Sequence, residues 1–198
     1  MLKNIIFDFD GVIADTHDIN WALSQEHDET ATYEDFLAHH DGNVFAEPRI
    51  KFKEENLHLF YSEYQKRLTT SHLKQAIGPL TRLGEQYSLY VISSTSEVVI
   101  QEVLLQSEVL SFFKRTMGAE THKSKVEKFK MLMETEDVTP ENTIFVTDTL
   151  GDIKEAHKVH IRTIAETFGF HSRTRLEQGS PFKILDSWSE IENTIREL

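Results

Sequence analysis

Four short apolar runs stand out along the chain: Ile5-Ile6-Phe7 with Phe9, Leu89 to Ile92, Thr143 to Val146, and Ile161 to Ala165. Their apolar positions are continuous rather than alternating, as in strands of a parallel sheet covered on both faces. Between the later runs the spacing becomes helical. Val98, Val99, Val103 and Leu104 share one helical face behind Ser94-Thr95-Ser96-Glu97, which has the spacing of a capping box. Val126, Phe129, Leu132 and Met133 repeat in the same way, and Pro140 breaks the chain before the third run. Strand–helix–strand alternation predicts an α/β fold with a doubly wound, Rossmann-like parallel sheet.

The stretch from Asp15 to Ala76 departs from this rhythm and carries no convincing strand. It reads as helices over Asp18 to Gln25, Tyr33 to His39, and Pro48 to about Leu68, with Pro48 in a helix first turn. Ile50, Leu57, Phe60, Tyr61 and Tyr64 supply the apolar stripe of the last helix, and Asp41-Gly42-Asn43 marks a turn before it. The expected organisation is a core of residues 1–14 and 77–198 with a helical insertion over 15–76.

Composition narrows the possible functions. A chain of 198 residues, 39% hydrophobic, has the size of one domain or one domain with an insertion. Its 21 Lys+Arg against 33 Asp+Glu give a net charge of −12, which argues against polymeric nucleic acid or an acidic membrane as partner. The absence of cysteine excludes disulfides, a Cys nucleophile, Cys-ligated zinc and iron–sulfur clusters. No run reaches 18 apolar residues, and the first residues, with Asp8 and Asp10 among them, fit neither a signal peptide nor a span. A cytoplasmic location is the expectation.

Four acids sit where strands end. Asp8-Phe9-Asp10-Gly11 follows the first run, and side chains two apart in extended chain share a side, so both carboxylates can enter one cleft. Such a pair repels unless protonated or bound to a cation, and with no Cys or nearby His the fitting ion is hard, such as Mg²⁺. A capping Asp-Gly turn is the plainer alternative. Asp148 ends the third run as Asp8 ends the first, and Asp152 falls in the first turn of the next helix, where the dipole alone would favour an acid. Ser93 and Ser94 end the second run, where a hydroxyl and helix-start N–H groups can cradle an anion or simply cap. Lys123 precedes a helix, where the macrodipole disfavours a cation that has no specific task.

Taken together, Phe7 to Thr16, Ser93, Lys123 and Val146-Thr147-Asp148-Thr149-Leu150-Gly151-Asp152 resemble, in order, the four motifs of the haloacid dehalogenase-like hydrolase superfamily. The helical insertion, with Ile77-Gly78-Pro79-Leu80 at its return, is similar to the small cap of phosphoglycolate-phosphatase-like members. The resemblance implies an aspartyl-phosphate on Asp8 and general acid/base work by Asp10. It implies Mg²⁺ held by the Asp8 and Asp148 carboxylates and the Asp10 backbone carbonyl. Ser93 and the Gly11 and Ser94 N–H groups would hold phosphoryl oxygens, Lys123 would neutralise charge, and Asp152 would orient that lysine or a metal-bound water. The third motif lacks its usual Lys-Pro form, which leaves Lys125 a rival to Lys123; Thr147 and His160 stand where relatives often carry Gly. The substrate implied is a small phosphorylated metabolite, selected by cap residues such as His40, Asn43 and Arg49, and the protein a monomer or homodimer. Phe168-Gly169-Phe170-His171 resembles a late loop at the cleft rim. A phosphomutase using the same phosphoenzyme, or a non-catalytic binding member of the fold, are the alternatives.

Overall fold

The computed structural model describes residues 1–46, 48–50 and 57–198. Strands β1 (Asn4–Phe7), β2 (Ser88–Ile92), β3 (Phe113–Met117), β4 (Thr143–Thr147), β5 (Arg162–Glu166) and β6 (Lys183–Leu185) form one parallel sheet. Their order is β3-β2-β1-β4-β5-β6. The chain fills one half outward from β1, then returns beside β1 to fill the other. That reversal opens a crevice at the carboxyl ends of the central strands. The four apolar runs became β1, β2, β4 and β5. The edge strands β3 and β6 escaped the pattern because polar residues interrupt them, Lys114 and Arg115 in one and Lys183 in the other.

The insertion carries α1 (His17–His27), α2 (Tyr33–His39) and α3 (Leu57–Arg67), then a 3₁₀ turn at Thr70–Leu73. Thr32 and Asp35 close a capping box that starts α2 where the sequence placed it. The helix expected from Pro48 does not begin there. Pro48 to Ile50 lies outside any helix, and Ile50 packs with Phe36 and Phe170 rather than along α3. The rest of that expected first half lies outside the described residues. Leu23, Tyr64 and Leu68 bury against the layer that covers β1, so the insertion shares the core's apolar packing.

The remaining helices are α4 (Ile77–Gly84), α5 (Glu97–Gln106), α6 (Lys125–Thr135), α7 (Leu150–His157), α8 (Arg173–Glu177) and α9 (Trp188–Arg196). Alternate strand residues feed two apolar layers. Ile5, Phe7, Val91 and Val146 meet Leu80 of α4, Ile100 of α5 and Ile191 of α9. Ile6, Tyr90, Ile92 and Phe145 meet Phe129 and Leu132 of α6 and Ala156 of α7. Burial on both faces explains the continuous apolar runs. At the start of α5 the Ser94 capping box does not form. The Glu120 carboxylate accepts from Glu97 N–H (2.8 Å) and Ser96 Oγ (2.6 Å) instead, and Val98 points into solvent. His160 has φ of 61°, the left-handed region in which glycine is the usual occupant.

Candidate active site

The carboxyl ends of β1, β2 and β4 present Asp8, Ser93 and Asp148 to one crevice, and the first turn of α7 adds Asp152. Asp8 Oδ1 accepts the Phe9 N–H (2.7 Å), which fixes its carboxylate in the turn. Its Oδ2 lies 2.8 Å from Lys125 Nζ, and the same ammonium reaches Asp152 Oδ2 at 2.5 Å. Thr147 Oγ1 donates to that Asp152 oxygen as well (2.8 Å). All three charged groups are buried, with exposures of 4–6%.

The lysine in the site is therefore Lys125, and the expectation of Lys123 is corrected. Lys125 opens α6, and Glu155 of α7 accepts its backbone N–H (3.1 Å) and the Ser124 hydroxyl (3.2 Å). A carboxylate at that helix start offsets the dipole's cost of placing an ammonium there. Lys123 is exposed, its Nζ 4.5 Å from the centre of the Phe45 ring.

Burial pushes the Asp8 carboxyl well above its ordinary range; Lys125 opposes this, and Asp152 and Asp148 add to it. Burial pushes Asp148 up to about 7, against the Phe170 N–H that donates to Oδ2 (2.7 Å). Asp152 goes the other way: burial would raise it, but Lys125 and hydrogen bonds from Asp8, Lys125 and Thr147 hold it low. The cluster thus has more carboxylate than one ammonium can neutralise.

Gly11, at φ 77°, allows this crowding, because a Cβ there would fall 2.0 Å from Asp148 Oδ2. Its N–H donates to Ala14 O (2.8 Å), so it is not turned toward a phosphoryl oxygen as expected. Ser93 is buried and its Oγ accepts the Thr95 N–H (3.0 Å), while Ser94 lines the cleft. Lys128, fully buried one turn after Lys125, donates to the Ser93 carbonyl and braces that strand end.

Asp10 also lines the cleft, in a cage of donors that the sequence reading missed. Thr16 Oγ1 (2.7 Å), Asn20 Nδ2 (3.2 Å) and Tyr64 OH (2.5 Å) donate to Oδ1, and Thr95 Oγ1 (2.5 Å) donates to Oδ2. Tyr64 had read only as part of an apolar stripe and Thr95 only as part of a cap. A second missed group is Glu166, at the end of β5. It is buried, and its Oε2 accepts the Phe168 (2.6 Å) and Gly169 (3.1 Å) N–H groups. Glu166 Oε1 and Asp148 Oδ1 are buried with no hydrogen-bond partner among the described residues.

The haloacid dehalogenase-like hydrolase family matches residues 5–166, a span that holds Asp8, Asp10, Ser93, Lys125, Asp148, Asp152 and Glu166. The chain belongs to this family. Among solved structures, the hydrolase is similar to a predicted phosphatase from Clostridium acetobutylicum (TM-score 0.81, 18% identity, 100% of both chains covered). It is also similar to a predicted phosphoglycolate phosphatase from Haemophilus somnus (TM-score 0.70, 19% identity, 98% of this chain and 97% of that one). A third is the β-phosphoglucomutase from Clostridium difficile (TM-score 0.71, 18% identity, 100% and 98%). At these identities the likeness establishes a shared fold. No curated protein matches the chain.

In this hydrolase the loop after α2, expected to select substrate, mostly fastens the insertion to the core. Arg175 of α8 grips Asp41 through Nε and a terminal nitrogen (2.7 Å each) and Glu34 (2.8 Å), which pushes its own pKa further up. Gly151 N–H donates to His40 O (2.9 Å), and a Cβ on Gly151 would lie 2.4 Å from Gly42 O. Asn43 donates to Lys123 O (3.0 Å) and Glu155 (3.2 Å), and the exposed Arg49 does not line the cleft. His40 does line it, donating Nδ1–H to Phe36 O (2.9 Å) and packing on Phe170.

Burial lowers His39 from 6.5 to about 4, and burial with neighbouring His39 lowers His40 from 6.5 to about 3. Both stay neutral in the folded chain while the unfolded chain takes up protons below 6.5. Stability present above that pH is lost as the pH falls toward 4. Asp8 and Asp148, raised by burial, act in the opposite sense over this range, so the difference is the readout: between pH 7 and 5 the urea midpoint of His40→Gln should fall less, or rise more, than that of the parent. An unchanged slope in the variant would remove His40 as a source.

Proposed function

We propose that this hydrolase is a Mg²⁺-dependent phosphatase acting on a small phosphomonoester, built as a core of residues 1–14 and 77–198 with a helical cap over 15–76. The observation that carries the reading is the Asp8–Lys125–Asp152 contact at the mouth of the central strands. It leaves one carboxylate oriented by a backbone N–H and faced by an ammonium suited to an anionic substrate.

The donor set fits the cation. Asp148 Oδ1 is a buried carboxylate oxygen that no group among the described residues satisfies, beside Asp8, in a cluster with excess negative charge. Asp8, Asp148 and the Asp10 carbonyl would hold Mg²⁺, which would supply charge neutralisation for the phosphoryl oxygens.

The chain's own groups perform the transfer. An Asp8 carboxylate oxygen attacks phosphorus, the P–O bond to the leaving group breaks, and Asp10 passes its proton to the departing oxygen. Asp10 then takes a proton from the water that attacks the aspartyl-phosphate, which releases phosphate and restores Asp8. Lys125 and Ser93 offset charge on the phosphoryl oxygens. Tyr64 reaches Asp10 from α3, so the cap helps aim the acid.

The test is phosphate release from a panel of monoesters with and without Mg²⁺, together with acid-quench trapping of the phosphoenzyme. Release that needs Mg²⁺ and no bisphosphate activator is expected. Metal-independent release, or phosphoryl return that requires a bisphosphate, would overturn the assignment.

A further inference from the structure

The cleft above Asp8 encloses about 530 Å³, enough for a leaving group the size of a ring system. Its two ends differ in character. The floor is polar, with Asp8, Asp10, Lys125 and Asp152. The cap side is apolar: Phe36, Phe45, Ile50, Phe60, Tyr61 and Phe170 face the same space. Phe36, Ile50 and Phe170 form a packed cluster of their own, so this wall is built into the fold rather than left by loose side chains.

Among the described residues Lys125 is the one Lys or Arg that lines the cleft, and Asp8 and Asp152 already share it. Arg49 and Lys123 lie outside the lining. The imidazoles on the cap side, His39 and His40, are held neutral by burial. Against the described lining, a second anionic group on a substrate would meet aromatic faces, neutral imidazoles and the Glu155 carboxylate; the Lys123 ammonium sits over the Phe45 ring rather than in the lining. An anion desolvated there without a counter-charge is strongly disfavoured.

Resting on the phosphatase reading, we propose that the substrate is a phosphomonoester whose leaving group is uncharged and presents a planar, ring-sized apolar face. Carboxylated esters such as phosphoglycolate are the class this cleft rejects. The aromatic wall stacks on the ring while the polar floor takes the phosphoryl group.

Non-hydrolysable probes separate this inference from the phosphatase reading, because binding requires no turnover. Calorimetry on the full chain with Mg²⁺ should show phenylphosphonate binding at least about tenfold tighter than phosphonoacetate. Phe45→Arg, which places a cation on the cap wall, should narrow or reverse that ratio. Equal or tighter binding of phosphonoacetate by the unaltered protein overturns the inference, as does failure of both probes to bind. Preferred phenylphosphonate binding without phosphate release from any ester would overturn the phosphatase reading alone.

Discussion

Asp8→Asn is expected to lower kcat/KM for any turned-over ester by at least about 10⁴-fold while leaving the fold intact. Asparagine keeps the size of the side chain and an oxygen to accept the Phe9 N–H, so the turn after β1 survives. What it loses is the proposed nucleophile and one of three crowded acids. Because burial already works against an ionised Asp8, its neutral replacement removes a cost rather than a support. Lys125 keeps Asp152 as its partner. The thermal midpoint should therefore hold or rise at neutral pH while phosphate release and the trapped phosphoenzyme both vanish. Release above about 1% of the parent rate would sink the assignment, since an amide cannot form the covalent intermediate. Loss of activity with a collapsed midpoint would instead mark Asp8 as a structural acid.

Much of this arrangement was legible in the sequence because strand ends are easy to find. A run buried on both faces has no polar interruptions, so Asp8, Ser93 and Asp148 mark where β1, β2 and β4 emerge from the sheet. Chain order then brings them together through the parallel topology. His160, which stands where relatives often carry Gly, keeps the left-handed backbone in which glycine is usual.

The rest depended on contacts that spacing does not encode. Lys123 and Lys125 are two residues apart at one helix start, and the dipole argument applies to both. Glu155, thirty positions away, settles which one turns inward by capping Lys125 N–H. Tyr64 and Thr95 fit local patterns, an apolar stripe and a polar cap, and each hides a hydroxyl whose task is set by Asp10. Asn43 looked like a selector because it lies on a polar loop, yet its partner Glu155 comes from a distant helix, as does Arg175, the partner of neighbouring Asp41. Glu166 ends a strand as Asp8 and Asp148 do, and that position is the one signal that could have found it.

Replacing the two lysines should give opposite results. Lys125→Met leaves Asp8 and Asp152 buried beside each other without their shared cation. Removing one partner from a buried charged set costs about 3–5 kcal/mol. For a chain of 198 residues that is a fall of roughly 6–20 °C in thermal midpoint, with activity lost alongside. Adding Asp152→Asn to Lys125→Met should recover much of the midpoint, because it removes the unpaired charge, and none of the turnover, because no ammonium faces the phosphoryl group. Lys123→Ala gives up one exposed contact with the Phe45 ring, within about 1 kcal/mol, and should keep kcat within about threefold. The backbone carbonyl that Asn43 uses at position 123 is unchanged by the substitution. Thermal unfolding and steady-state phosphate release on the three variants decide the matter. A Lys123→Ala loss as large as that of Lys125→Met would return the motif role to Lys123.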